Sequence, residues 1–171
     1  MINNNFKKIL KYLFTYTNTN INNLKLVGLN GTEIHETRDD NYILPYLNTS
    51  LNTIINSNGI SSNNKAGVCM GFGAGSKQVS LEDYNLETII DNLSYLSSSV
   101  ETTEEGYIVI TSAKNNTSTD IIVSEVGIFC RGQNQSGTNA SHPFMLTRKV
   151  LETPITINPN EIKTFTIAIN F

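Results

Sequence analysis

Thr164-Phe165-Thr166-Ile167-Ala168-Ile169-Asn170-Phe171 alternates polar with apolar without a break, and no other pattern in the chain restricts the fold as strongly. A period of two puts Phe165, Ile167, Ile169 and Phe171 on one face and Thr164, Thr166, Ala168 and Asn170 on the other, which is a half-buried antiparallel strand. Upstream, Tyr107–Thr111, Ile121–Phe129, Pro143–Leu151 and Pro154–Ile157 read the same way, punctuated by turns at 114–117 and 158–161 and a loop over 131–141. Strands joined by short turns with no helix between them pair antiparallel. The expected fold is mainly β, an antiparallel β-sandwich of jelly-roll or Ig-like type, with a short N-terminal amphipathic helix.

That helix comes from the first residues. Phe6, Ile9, Leu10, Leu13 and Phe14 fall at helical spacing with Lys7, Lys8 and Lys11 opposite them. It can pack on its own domain or serve as an arm docking on a neighbouring subunit, and the interface arm is the expectation carried forward. Thr17 to Asn23 is an Asn/Thr linker, so residues 1–23 form helix and linker and residues 24–171 a single β-sandwich domain.

The net charge of -3, with no basic block, argues against direct nucleic-acid binding. The first residues lack a signal-peptide pattern, and no apolar run approaches membrane-spanning length, so synthesis in a cytoplasm and no membrane partner are expected. Asparagine makes up roughly one residue in seven, well above ordinary usage, as an AT-rich genome would produce. Cys69 and Cys130 sit in apolar strand-like contexts and read as buried thiols, and no Cys or His cluster has zinc spacing, so neither cofactor nor metal is expected. His35 and His142 are isolated and read as surface residues.

Leu24–Gly28 is a short strand candidate leading into a turn at Asn30-Gly31, 32–64 reads as weak elements and long loops, and Ala66–Phe72 reads as a buried strand. The strand enters Gly71-Phe72-Gly73-Ala74-Gly75, which invites a phosphate loop. Ser76-Lys77-Gln78 has the wrong order for one and no helix follows directly, so a tight glycine turn is expected instead. Ser80-Leu81-Glu82-Asp83 has a capping-box shape and suggests one helical turn.

Two charges break the strand pattern. Odd positions of 121–129 place Glu125 among Ile121, Val123, Gly127 and Phe129, and even positions of 143–151 place Arg148 among Phe144, Leu146 and Val150. Each would be costly alone, so a bidentate structural pair between Glu125 and Arg148 is expected. A catalytic role for Glu125 lacks a second acid, since Asp120 points to the other face, and no serine stands in a nucleophile elbow.

Three segments, in order, resemble small tail- and collar-region virion structural proteins of tailed bacteriophages. They are Gly71–Gly75 with Ser80-Leu81-Glu82-Asp83-Tyr84-Asn85-Leu86, then Ser124-Glu125-Val126-Gly127-Ile128-Phe129, then Met145–Leu151 with Thr153–Ile157 and a terminal strand. The match spans roughly residues 66 to 171, and the Asn-rich composition would fit a crAss-like podovirus of gut bacteria. The resemblance implies a non-enzymatic subunit of a tail, collar or baseplate ring of about six or twelve copies. It also implies portal, tail or collar proteins as partners and a place in the virion after synthesis in the host cytoplasm. A capsid decoration or head-fibre protein and a receptor-binding tail-tip protein are the alternatives.

Overall fold

The computed structural model describes residues 3–8, 26–34, 44–45, 54–56, 59–61, 67–133 and 141–170. Eleven strands run in order as β1 (Leu26–Val27), β2 (Glu33–Ile34), β3 (Leu44–Pro45), β4 (Ile54–Asn56), β5 (Gly59–Ser61), β6 (Gly67–Gly73), β7 (Leu93–Thr103), β8 (Gly106–Asn115), β9 (Ile121–Gln133), β10 (Ser141–Ile157) and β11 (Ile162–Asn170). All their pairings are antiparallel. Sheet I sets β10 beside β9, whose other edge carries β6 and β3, and sheet II has the order β11-β8-β7. In the small β1–β2 hairpin, Gly31 adopts φ 78° at the Asn30-Gly31 turn, a conformation that costs glycine little.

The two sheets meet across one core. Val109, Ala113, Phe165, Ile167 and Ile169 of sheet II pack against Met70, Phe72, Val126, Ile128 and Phe144 of sheet I. Phe72 joins them directly, its ring centroid 4.6 Å from Phe165 and 5.4 Å from Tyr95. This mainly β architecture fits a sandwich. Buried Asn115 ties one end together: its Nδ2 donates to the carbonyls of Ile157 (2.8 Å) and Thr119 (2.7 Å), and its Oδ1 accepts from Thr117 N (2.8 Å).

Several expectations need correction. Leu93–Thr103 had no strand reading, because its serines are weak strand formers and its alternation is blurred at an exposed edge. Pro143–Leu151 and Pro154–Ile157 belong to one long strand, β10, and Pro154 is tolerated because it sits on an edge strand, inside a register break between Val150 and Ile155. Ser80–Asp83 forms a tight turn instead of a helical one: Asp83 N donates to Ser80 O (3.3 Å), and Asp83 Oδ2 accepts from Ser80 N (2.9 Å). Half of a capping box is present, but it closes a loop.

At the N-terminus, residues 4–8 are helical and dock on their own domain. Phe6 packs against the main core, which departs from its expected role in an intersubunit arm. The cause lies in β10, whose pairing with β9 skips Leu146. Asn3 N donates to Leu146 O (3.1 Å) and Asn3 Nδ2 to Met145 O (2.6 Å), while Asn5 bonds both the N–H (2.7 Å) and the carbonyl (2.8 Å) of Val27. Ile9, Leu10, Leu13, Phe14 and the linker lie outside the described residues. No described helix is long and apolar enough to cross a membrane.

Candidate functional site

Glu125 and Arg148 do meet, though on a different face from the one alternation suggests. In β9, Ile121 and Val123 belong to the main core, but so do Val126 and Ile128, so the strand changes face around Glu125. The register records why: between the pairs Val150↔Glu125 and Ile155↔Val123, residues 151–154 of β10 stand against Ser124 alone. In β10 the skipped Leu146 does the same, leaving Phe144 and Leu146 in the main core and placing Arg148 opposite Gly127. A Cβ on Gly127 would touch Phe129, Leu86 and Met145, three residues of a separate cluster that also contains Cys69. Two bulges therefore carry both charges away from the intersheet core to the outer side of sheet I.

There they are covered by the segment from Ala74 to Thr88, a strap. Glu125 is 0 % exposed and Arg148 1 %. Arg148 Nε donates to Glu125 Oε2 at 2.6 Å, but the expected bidentate pair does not form, because the fork is divided: Nη1 donates to Asp83 Oδ2 at 3.0 Å, and Nη2 lies 3.8 Å from Glu87 Oε2. Glu125 Oε1 instead accepts from the backbone N–H of Gly75 and of Thr88, both at 3.0 Å. Glu87 Oε2 accepts from Ser76 N and Lys77 N, both at 2.8 Å. Three carboxylates thus hold five strap amides, counting Ser80 N on Asp83, and one guanidinium holds the carboxylates.

The glycine cluster now has a physical account. A Cβ on Gly73 or on Gly75 would fall 2.5 Å from Glu125 Oε1, so only glycine lets the strap backbone come this close. The loop does cradle an anion, and that anion is the chain's own Glu125. Electrostatics follow the contacts. Burial works to lower the Arg148 pKa, but hydrogen bonds to Glu125 and Asp83 and their charges outweigh it, and the net shift is upward. The amides of Lys77 and Ser76 hold the exposed Glu87 carboxyl below the usual carboxylate range, with the Arg148 charge adding to them. The Ser80 hydroxyl, 2.5 Å from Glu82 Oε2, does the same for Glu82.

Beside this network lies an open cleft of about 360 Å³, bordered by Lys77, Glu82, Asp83, Tyr84, Glu87 and Arg148. Tyr84 stands at its rim, 42 % exposed. Asn3 Nδ2 also donates to Asp83 O (3.0 Å) and Asn4 N to Leu81 O (2.9 Å), so the N-terminal segment buttresses the turn below the cleft. Among the described residues no group of three or more His, Cys, Asp or Glu side chains is placed to hold a metal ion. Glu125 and Asp83 are both committed to Arg148 and to backbone amides, so the arrangement fixes a loop.

Asp83, Glu87, Gly75 and Asn3 were not singled out as site residues. The reciprocal bond from Asp83 to Ser80 was signalled by the capping-box shape, whereas Glu87 and Asn3 have no local pattern that distinguishes them. The side chains of Cys130 and His142 and all of His35 lie outside the described residues, and Cys69 is buried opposite Phe129. Comparison with known protein families, with curated proteins and with solved structures finds no match to this chain.

Proposed function

We propose that the chain is a structural virion protein of a tailed bacteriophage, a non-enzymatic subunit of a tail, collar or baseplate ring. One observation carries the reading. The three segments that resemble such proteins, 71–75 with 80–86, 124–129 and 145–151, are separated in sequence yet supply Gly75, Asp83, Glu125 and Arg148, the centre of the Arg148 network. A resemblance spread over three places thereby refers to one physical unit, a strap locked onto a sheet. That unit suits a subunit whose loops must keep their shape while neighbours press on them. The sandwich would be of jelly-roll or Ig-like type. Residues beyond Lys8 would supply the arm to a neighbour, in a homo-oligomeric ring contacting portal, tail or collar proteins in the virion.

A receptor-binding tail-tip role has one observation in its favour. The cleft combines the exposed Tyr84 ring with the carboxylates of Glu82, Asp83 and Glu87, a mixture able to face the C–H and O–H groups of a sugar. Light scattering coupled to size exclusion, with immunogold labelling of particles, tests the main reading. A ring-sized oligomer and label at the tail or collar are expected. A monomer that hydrolyses envelope polysaccharide, or label confined to the head, would overturn it.

A further inference from the structure

The outer face of sheet II is exposed and almost without charge, and the one break in its register falls between Tyr95 and Ser97 of the edge strand β7. Register aligns Ser99, Ile110 and Thr166 in one cross-strand row and Ser97, Ser112 and Thr164 in the next. Hydroxyls flank a half-buried isoleucine stripe, and Ser112 and Thr164 are hydrogen-bonded across the strands at 2.7 Å. Neither β8 nor β11 breaks register along this face. Two of its three strands are thus unbroken, which suits packing against a second sheet face.

Its two charges lie at opposite ends. Glu101 shares a row with Ile108, next to the β7–β8 turn that adds Glu104 and Glu105, while Lys114 shares a row with Ile162, itself 53 % exposed. The neighbouring Lys163 is taken by Glu161 at 2.7 Å, which leaves Lys114 as the cation of that end of the face. Six residues of strand separate the two rows, about 20 Å. A surface acidic at one end, basic at the other and neutral between is complementary to itself after a half-turn.

We propose that this face docks on a second copy of the chain. A two-fold axis lying across the strands between the Ile110 and Ser112 rows would bring each Glu101 to the partner's Lys114 row, one strand spacing of about 4.8 Å from Lys114 itself, and stack the Ile110 row of each copy on the Ser112 row of the other. Three strands of this length offer a patch roughly 14 by 30 Å, near the lower limit for a specific interface, so the dimer is reversible and concentration-dependent. The contact is independent of the virion reading. A ring can be built through other surfaces without it, and it can form without a ring.

Sedimentation velocity over a concentration series at low and high salt tests this on the full chain. The wild type should dimerise, more weakly at high salt. Glu101→Lys or Lys114→Glu alone should raise the dissociation constant about tenfold or more, and the double reversal should restore it. Thr166→Arg, in the middle of the face, should abolish the dimer. All three positions lie on the outer face, so thermal melts of the variants should stay close to wild type. Monomer at every concentration, a dimer indifferent to all of these changes, or a double reversal no tighter than the single ones would overturn the proposal.

Discussion

The two sheets of this domain solve the same problem in opposite ways. Sheet II keeps strict alternation along β11, burying Phe165, Ile167 and Ile169 and exposing threonine, alanine and asparagine between them. Sheet I breaks alternation in both of its long strands and buries an arginine and a glutamate on its outer side. A regular sheet needs nothing on its outer face, whereas an irregular one with charges there needs a cover, and the Ala74–Thr88 strap with the Asn3 plug provides it. The difference teaches where specificity resides: in sheet II it is spread over many equivalent apolar contacts, and in sheet I it is concentrated in one polar network.

Substitutions should expose that asymmetry. Arg148→Met leaves the buried Glu125 and the partly buried Asp83 with no counter-charge and should cost about 3–5 kcal/mol in urea unfolding, the largest single effect expected. Gly75→Ala forces a methyl against Glu125 Oε1 and should cost about 1–3 kcal/mol. Asn3→Ala strips donors from the buried Met145 carbonyl and from Asp83 O, and about 1–3 kcal/mol is again expected. This last value contrasts with the tolerance an N-terminal arm would show.

A smaller effect should appear with pH. The Glu87 pKa is depressed in the folded chain, so its contribution is complete above the ordinary carboxylate value and is lost as pH falls through the lowered one. The gap in melting temperature between wild type and Glu87→Gln should therefore be widest near neutral pH and close below about pH 4. Smallest of all, Ser99→Ala on the exposed face of sheet II should shift unfolding by no more than about 0.5 kcal/mol. A cost there comparable to that of Gly75→Ala would erase the contrast between the sheets.

Legibility followed the same division. Alternation revealed β11 because nothing in it departs from a period of two, and the apolar run Tyr107–Ile110 marked β8, although that strand continues through Lys114 and Asn115, where a turn is expected. Alternation failed in β7, where serines replace the apolar residues that it depends on. In sheet I the partnership of Glu125 and Arg148 was legible because both residues are out of pattern, yet their face was not. Each strand shifts by a bulge, and the two shifts preserve the contact while moving it to the opposite side. Bulges depend on tertiary pairing and leave no mark in single-strand periodicity. Gly73 and Gly75 were recognisable as a tight turn, but the carboxylate that demands them lies far along the chain, beyond any local pattern.

Hydrogen exchange of the individual strap amides tests the central claim most directly. Ser76 and Lys77 lie outside any strand and are exposed, so only their carboxylate acceptor can slow their exchange, whereas Gly75, also outside any strand, is buried and bonded to Glu125. Slow exchange at Gly75, Ser76, Lys77 and Thr88 is expected, with Glu125→Gln loosening Gly75 and Thr88 while β8 and β11 stay protected. Exchange of these amides at the rate of an unstructured peptide in the wild type would contradict the lock.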